Sequence, residues 1–207
     1  MTAPEALIGS ALEYLDWAGV AVFALSGALV AAVKRQTLVT FLFFGVITGI
    51  GGGTARDLLI GARVFWIHEN VTLLICFAAA LLVWGTPARM WRGRTLLWLD
   101  AVGIAAYSTF GAAKGLAYGL APLPAFGMGV LTACLGGIVR DVLAGEPSVL
   151  MRPELYVTAA ALSAALRVAL LLAGVPATLA GIVAALAGFS LRGAAIVRGW
   201  SLPAYSR

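Results

Sequence analysis

Seven apolar segments, separated by short breaks, constrain the fold of this chain more than any other feature of its sequence. They cover about residues 14–33, 38–60, 69–85, 96–117, 122–144, 154–173 and 176–196. A transmembrane helix needs about 20 mainly apolar residues, and the breaks contain Gly, Pro and basic residues, which are typical of connections. The sequence therefore predicts an all-α membrane protein with seven transmembrane helices in a single domain, residues 1–207.

The composition excludes several other classes of protein. Of the 207 residues, 62% are hydrophobic and 11% are charged, whereas a soluble domain has about 25% charged residues. The net charge of +5 is too scattered for a nucleic-acid surface. Cys76 and Cys134 lie within apolar runs, and the single His68 has no partner motif. We therefore predict no disulfide framework, no metal site, no cofactor and no enzymatic activity.

The basic residues predict the orientation in the membrane. With the N-terminus placed outside, the outer loops hold only Arg63. The inner loops and the inner tail then hold Lys34, Arg35, Arg89, Arg92, Arg94, Arg152, Arg192, Arg198 and Arg207. Since basic residues concentrate in cytoplasmic loops, we expect a multi-pass protein of the cell inner membrane with a periplasmic N-terminus and a cytoplasmic C-terminus.

The chain contains an internal repeat with an offset of 84 residues. Residues 15–61 align with 99–145 without a gap, and fifteen of the 47 positions are identical. The matches include Asp and Arg, although charged residues make up only 11% of this chain. Each copy holds three segments, an odd number that inverts the second copy. We predict an inverted 3+3 repeat (about 14–85 and 96–173) plus a seventh helix (about 176–196), an architecture typical of transporters and channels.

A glycine cluster occupies the second segment of each copy. The clusters are Gly51, Gly52 and Gly53 followed by Thr54, and Gly136 followed by Gly137. Glycine costs a helix interior about 1 kcal/mol relative to alanine, and irregular backbone at membrane depth must be buried in protein or face a water-filled cavity. We predict that both helices break at these clusters and line a pore, with close helix packing as the alternative.

Charged residues lie near matching ends of the segments in both copies. The outer set is Asp16, Arg56 and Asp57, and the inner set is Asp100, Arg140 and Asp141. Charge within a membrane is costly and indicates a functional site by default. We predict two mirror-related clusters at opposite ends of one path. The alternative is that their ion pairs only hold the helices together.

Lys114 breaks the repeat, because its counterpart is Val30. It lies toward the outer end of the fourth segment and has no obvious acidic partner. One interpretation is a positive charge that narrows or gates the path, and the other is a side chain that extends to the membrane interface. For Arg167, in the sixth segment, we expect the interface or lipid contact.

The duplicated motifs carry a family resemblance. Gly-Gly-Gly-Thr-Ala-Arg-Asp (51–57) and Gly-Gly-Ile-Val-Arg-Asp-Val-Leu-Ala-Gly-Glu-Pro (136–147) resemble prokaryotic members of the trimeric intracellular cation (TRIC) channel family. The resemblance implies a 3+3+1 protomer in a homotrimer within membrane lipids. It also implies a potassium-conducting pore in each protomer, through bent second and fifth helices. The Lys-Glu-Val motif of animal members is absent here, and Lys114 is the nearest match to their basic gating residue on the fourth helix.

Two functions remain open from the sequence. The first is a passive monovalent cation channel, and the second is a secondary transporter of small solutes such as glycine, which has been suggested for the bacterial family. A transporter needs a closed midplane cavity with alternating access, and the chain offers few carboxylates near mid-membrane. The sequence therefore favours the channel. A purely structural role would leave the duplicated charges without a purpose.

Overall fold

Seven α-helices form the part of the protein that the structure describes. The computed structural model describes residues 10–91, 94–203 and 205. The helices are α1 (Ser10–Val33), α2 (Leu38–Leu59), α3 (Val71–Gly85), α4 (Thr95–Ala117), α5 (Pro122–Leu143), α6 (Val157–Leu172) and α7 (Ala177–Arg198). Short 3₁₀ turns, Ala88–Trp91 and Val149–Met151, precede α4 and α6. The prediction of an all-helical protein with seven helices is confirmed.

Length and composition make the longer helices suitable for crossing a membrane. Five helices, α1, α2, α4, α5 and α7, are long and apolar enough to do so. The other two, α3 and α6, are apolar but have only 15 and 16 residues. A helix rises about 1.5 Å per residue, so these two are shorter than the hydrocarbon core of a bilayer, which is about 30 Å thick.

Most of the helices end at a glycine that lies just after the last helical residue. In the described ranges, five glycines adopt a left-handed backbone: Gly61, Gly119, Gly145, Gly174 and Gly199, which follow α2, α4, α5, α6 and α7. Glycine is favoured at the end of a helix because it has no Cβ that opposes this conformation. Among the described residues, Arg35, after α1, is the only other residue with a positive φ, at 51°.

The helices pack as two groups of three. Helices α1, α2 and α3 contact one another, as do α4, α5 and α6, and the groups meet through α1 with α4 and α2 with α5. Helix α7 packs on α4 and α6. Residues from the first six helices contribute to the central buried cluster. Helix α4 is the most buried of the five long helices and forms the centre of the bundle.

Contacts between α1 and α4 repeat with partners exchanged. A Cβ on Gly19 would lie 2.5 Å from Cε1 of Tyr107, and a Cβ on Gly103 would lie 2.7 Å from Cζ of Phe23. Gly19 and Gly103 are 84 residues apart, as are Phe23 and Tyr107. Partner exchange of this kind is typical of surfaces related by a two-fold axis. The offset found in the sequence is therefore also present in the packing.

Candidate functional site

Helices α2 and α5 cross in backbone contact. A Cβ on Gly52 would lie 2.1 Å from the carbonyl oxygen of Thr132, and a Cβ on Gly136 would lie 2.5 Å from the carbonyl oxygen of Thr48. These distances are far shorter than a normal contact, so only glycine fits at either position. The two contacts are again exchanged across the 84-residue offset.

The predicted helix breaks are wrong. Helix α2 is continuous through Gly51, Gly52 and Gly53, and α5 is continuous through Gly136 and Gly137. The physical reason is the crossing itself, because small residues let two membrane helices approach closely. The close contact compensates for the low helix propensity of glycine.

The other predicted residues of the glycine clusters also serve packing. Gly53 lies against Phe65 and Gly137 against Tyr156, where a Cβ would come within 2.6 and 2.8 Å. Thr54 donates its hydroxyl hydrogen to Ile50 O within α2, at 2.7 Å. It accepts a hydrogen bond from the indole of Trp66 at 2.9 Å, and this bond attaches the α2–α3 connection to α2.

Arg140 lies at the centre of a buried, fully bonded set that we name the Arg140 cluster: Ser26, Asp100, Arg140 and Asp141. Its Nη1 and Nη2 donate to the two carboxylate oxygens of Asp100 at 2.8 and 3.0 Å. Its Nε donates to Asp141 Oδ1 at 2.9 Å, and Nη1 also donates to Ser26 Oγ at 2.9 Å. The second oxygen of Asp141 accepts from Val149 N at 3.0 Å.

Asp57 is the centre of the matching set at the other end of the bundle, the Arg56 cluster: Asp16, Arg56, Asp57 and Lys114. Asp57 Oδ1 accepts from Arg56 Nε at 2.7 Å and lies 2.8 Å from Lys114 Nζ. Its Oδ2 accepts from Phe65 N at 3.1 Å. Phe65 and Val149 are 84 residues apart. The aspartate of each Arg-Asp pair therefore accepts a hydrogen bond from a backbone N–H at the corresponding position of its repeat.

The two clusters differ in how well their guanidinium groups are bonded. Within the described part of the chain, Arg56 Nη1 and Nη2 and Asp16 Oδ1 are buried without a hydrogen-bond partner. The Arg56 guanidinium carbon instead lies 4.7 Å from the ring centroid of Phe110, and Phe110 is the repeat counterpart of Ser26. A cation–π contact thus replaces a hydrogen bond.

Two expectations about basic residues are wrong. Lys114 has an acidic partner, Asp57, and is 8% exposed, because the C-terminal ends of α2 and α4 meet. Arg167 does not reach the interface: it is 1% exposed and donates to the backbone oxygen of Ala177. Close contact between α6 and α7 buries it.

Sequence reasoning missed Ser26, which belongs to the Arg140 cluster, and Phe65 and Phe110, which contact the Arg56 cluster. The internal repeat contained a signal for two of them. Positions 26 and 110 correspond to each other, and each contacts the arginine of one cluster. Their side chains differ in chemistry, so identity alone did not reveal them.

Known proteins with a similar sequence support a membrane family. A family model described as glycine transporter matches residues 13–88 and again residues 97–173. The chain is 39% identical over 163 residues to a UPF0126 membrane protein of Vibrio cholerae, covering 74% of this chain and 66% of that one. It is also 39% identical over 150 residues to the UPF0126 inner membrane protein YadS of Escherichia coli K12, covering 70% and 72%.

The fold of this chain is similar to that of a solved membrane channel. The TRIC trimeric intracellular cation channel orthologue from Rhodobacter sphaeroides matches with a TM-score of 0.87 and 42% identity, over 93% of this chain and all of that one. Five helices that are long and apolar enough to cross a membrane, together with relatives described as membrane proteins, define a multi-pass membrane protein. The chain belongs to the TRIC family, as a prokaryotic member.

Proposed function

We propose that this protein is a cation channel that conducts potassium, with one path in each protomer of a homotrimer. The observation that carries the proposal is the match, at 42% identity over nearly the whole chain, to a protein described as a trimeric cation channel. The two buried clusters around Arg56 and Arg140 add support, because four carboxylates within an apolar bundle require a function or a strong structural reason.

The path runs between α2 and α5, from the Arg56 cluster to the Arg140 cluster. The glycine crossing lies between them and is its narrowest point, because no room remains there for a Cβ. Conduction therefore requires α2 and α5 to move apart at this crossing. Separation would expose the carbonyl oxygens of Thr48 and Thr132, which are suitable ligands for a partly dehydrated cation.

The two groups of three helices are, in this proposal, inverted repeats related by an axis in the membrane plane. The double match of one family model and the exchanged contacts of the glycines support this relation. The excess of basic residues in alternate loops supports a periplasmic N-terminus and a cytoplasmic C-terminus. The Arg56 cluster then faces the periplasm and the Arg140 cluster the cytoplasm.

Reconstitution into a planar bilayer with unequal KCl on the two sides tests the channel. We expect unitary currents whose reversal potential lies close to the potassium equilibrium potential. A silent bilayer, together with uptake of labelled glycine into proteoliposomes of the same protein, would contradict the channel and establish the second candidate.

One structural observation favours that second candidate, a glycine transporter. Among the described residues, the Arg56 cluster has guanidinium nitrogens and a carboxylate oxygen on Asp16 that have no hydrogen-bond partner. The carboxylate and ammonium groups of an amino acid match such a donor and acceptor.

Lys114→Gln is expected to raise the open probability of the channel and to weaken its voltage dependence. Lys114 is a buried positive charge beside the path, where poor screening raises the energy of a passing cation. The membrane field also acts on a charge at this depth. Because the change removes one partner of Asp57, we also expect some loss of thermal stability. Single-channel recording measures the first two effects.

Lys114→Arg is the matched control, since it keeps the charge and a donor for Asp57. It should retain the voltage response of the unmodified protein. Identical open probability and voltage response in Lys114→Gln and Lys114→Arg would show that the residue only supports the helix contact.

A further inference from the structure

A cavity of about 700 Å³ opens between helices at the end of the bundle where α1 and α3 finish. Its wall is mainly apolar and includes Leu29, Phe41, Val83 and Leu96. The volume lies within the range of about 300–1,000 Å³ that is usual for ligand sites. The cavity lies at one end of the bundle and is therefore distinct from the crossing of α2 and α5.

Exposed aromatic and apolar residues line the mouth of the cavity. Trp84 is 48% exposed and Val33 is 82% exposed, and both line the cavity. The indole of Trp91, another lining residue, donates to Thr86 Oγ1 at 2.7 Å. Tryptophan is enriched where a protein surface passes from hydrocarbon to headgroup, so the mouth has the composition of a membrane interface.

The cavity is also lined by a cation, Arg35, that no neighbour in the described part of the chain neutralises. Arg35 lines the cavity and is exposed, and within the described residues its guanidinium has no hydrogen bond or ion pair. The preceding residue, Lys34, is paired with Glu146 at 2.7 Å, and this hydrogen bond lowers the pKa of Glu146 below its usual range. Among the described residues that line the cavity, Arg35 is therefore the cation available to an anion.

The backbone fixes Arg35 at this place. Its φ is 51°, a left-handed conformation, and Gln36 N closes the end of α1 by donating to Ala31 O at 3.0 Å. A side chain other than glycine costs about 1–2 kcal/mol in this conformation. A residue in a strained backbone conformation beside a cavity indicates a role for its side chain.

We propose that this cavity binds one anionic phospholipid, with an acyl chain against the apolar wall and the phosphate on Arg35. An amphiphile fits because apolar volume and a positive charge adjoin at an interface-like mouth. A phosphate offers the oxygen acceptors that a guanidinium bonds best. Basic pockets between transmembrane helices are known to take anionic headgroups. The proposal needs the chain to span a membrane but does not depend on what it conducts.

Native mass spectrometry of delipidated protein with equal amounts of phosphatidylglycerol and phosphatidylcholine tests the site. We expect one phosphatidylglycerol per chain to be retained in preference to phosphatidylcholine. Arg35→Gln should lower this retention about tenfold, since hydrogen bonds to charged groups are among the stronger ones. Ala32→Trp, which fills the cavity with an indole, should remove retention of both lipids.

Lys34→Gln is the matched control, because it removes the same charge from the adjacent residue that is already paired. It should change retention by less than about twofold. Equal retention of the two lipids, or unchanged retention in Arg35→Gln, would overturn the proposal. Loss of both lipids from the unmodified protein, with intermolecular disulfides in Val33→Cys, would assign the cavity to a neighbouring copy and overturn it as well. Arg35 is exposed, so we expect the Arg35→Gln variant to fold. The proposal can therefore be tested with this variant even if Ala32→Trp does not fold.

Discussion

Replacing Arg140 by alanine should lower the free energy of unfolding by about 3–5 kcal/mol, the range for removing one partner of a buried ion pair. Arg140 donates to two carboxylates and a hydroxyl, and it is 2% exposed. Without it, Asp100 and Asp141 remain as two buried negative charges with no cation between them. The substitution also removes the hydrogen bonds through which Arg140 links α5 to α1 and α4.

Arg56→Ala is the matched comparison, and its effect should be smaller. Lys114 still neutralises Asp57 at 2.8 Å, and two of the three guanidinium nitrogens of Arg56 bond to nothing in the described part of the chain. Thermal unfolding of both variants in the same detergent shows which substitution causes the larger loss of stability. An equal or larger loss for Arg56→Ala would contradict the assignment of Arg140 as the stronger anchor.

Gly52→Ala is the second change with a large expected effect. The new Cβ would lie 2.1 Å from a backbone carbonyl of α5, and backbone gives way less easily than a flexible side chain. Overpacking of this kind costs about 1–3 kcal/mol, more than the gain of about 1 kcal/mol in helix propensity. We expect lower thermal stability and altered currents, because α2 and α5 must shift apart.

Gly51→Ala is the control on the neighbouring residue. Its Cβ would lie 3.8 Å from the nearest atom, Gly136 Cα, which is an ordinary contact. Higher helix propensity should leave this variant as stable as the unmodified protein or more stable by up to about 1 kcal/mol. Equal melting temperatures for Gly51→Ala and Gly52→Ala would refute the close crossing.

The sequence predicted the helices and the charge clusters for physical reasons that act locally. Apolar runs of sufficient length determine helices in a membrane, and the low share of charged residues, 11%, made the repetition of Asp and Arg visible. The role of Gly52 was mispredicted, because a glycine that breaks a helix and one that meets another helix look the same in sequence. The contact that distinguishes them lies 80 residues away, at Thr132.

Ion pairs between the two repeats could not be predicted from the sequence. Lys114 was compared with Val30, its counterpart, whereas its ion-pair partner Asp57 is on a different helix in the other repeat. Alignment within one chain reports which positions correspond and not which ones touch. The pairing became visible only once the ends of α2 and α4 were placed together.

The unequal composition of the two clusters has an electrical consequence. A path with perfect two-fold symmetry passes equal currents in both directions. Here the Arg140 cluster has two carboxylates and one guanidinium, a formal charge of −1, whereas Lys114 brings the Arg56 cluster, with two carboxylates and two cations, to zero. Cations gather more readily at the negative end. We therefore expect the proposed channel to rectify, with more current from the Arg140 side than from the Arg56 side at equal and opposite voltages.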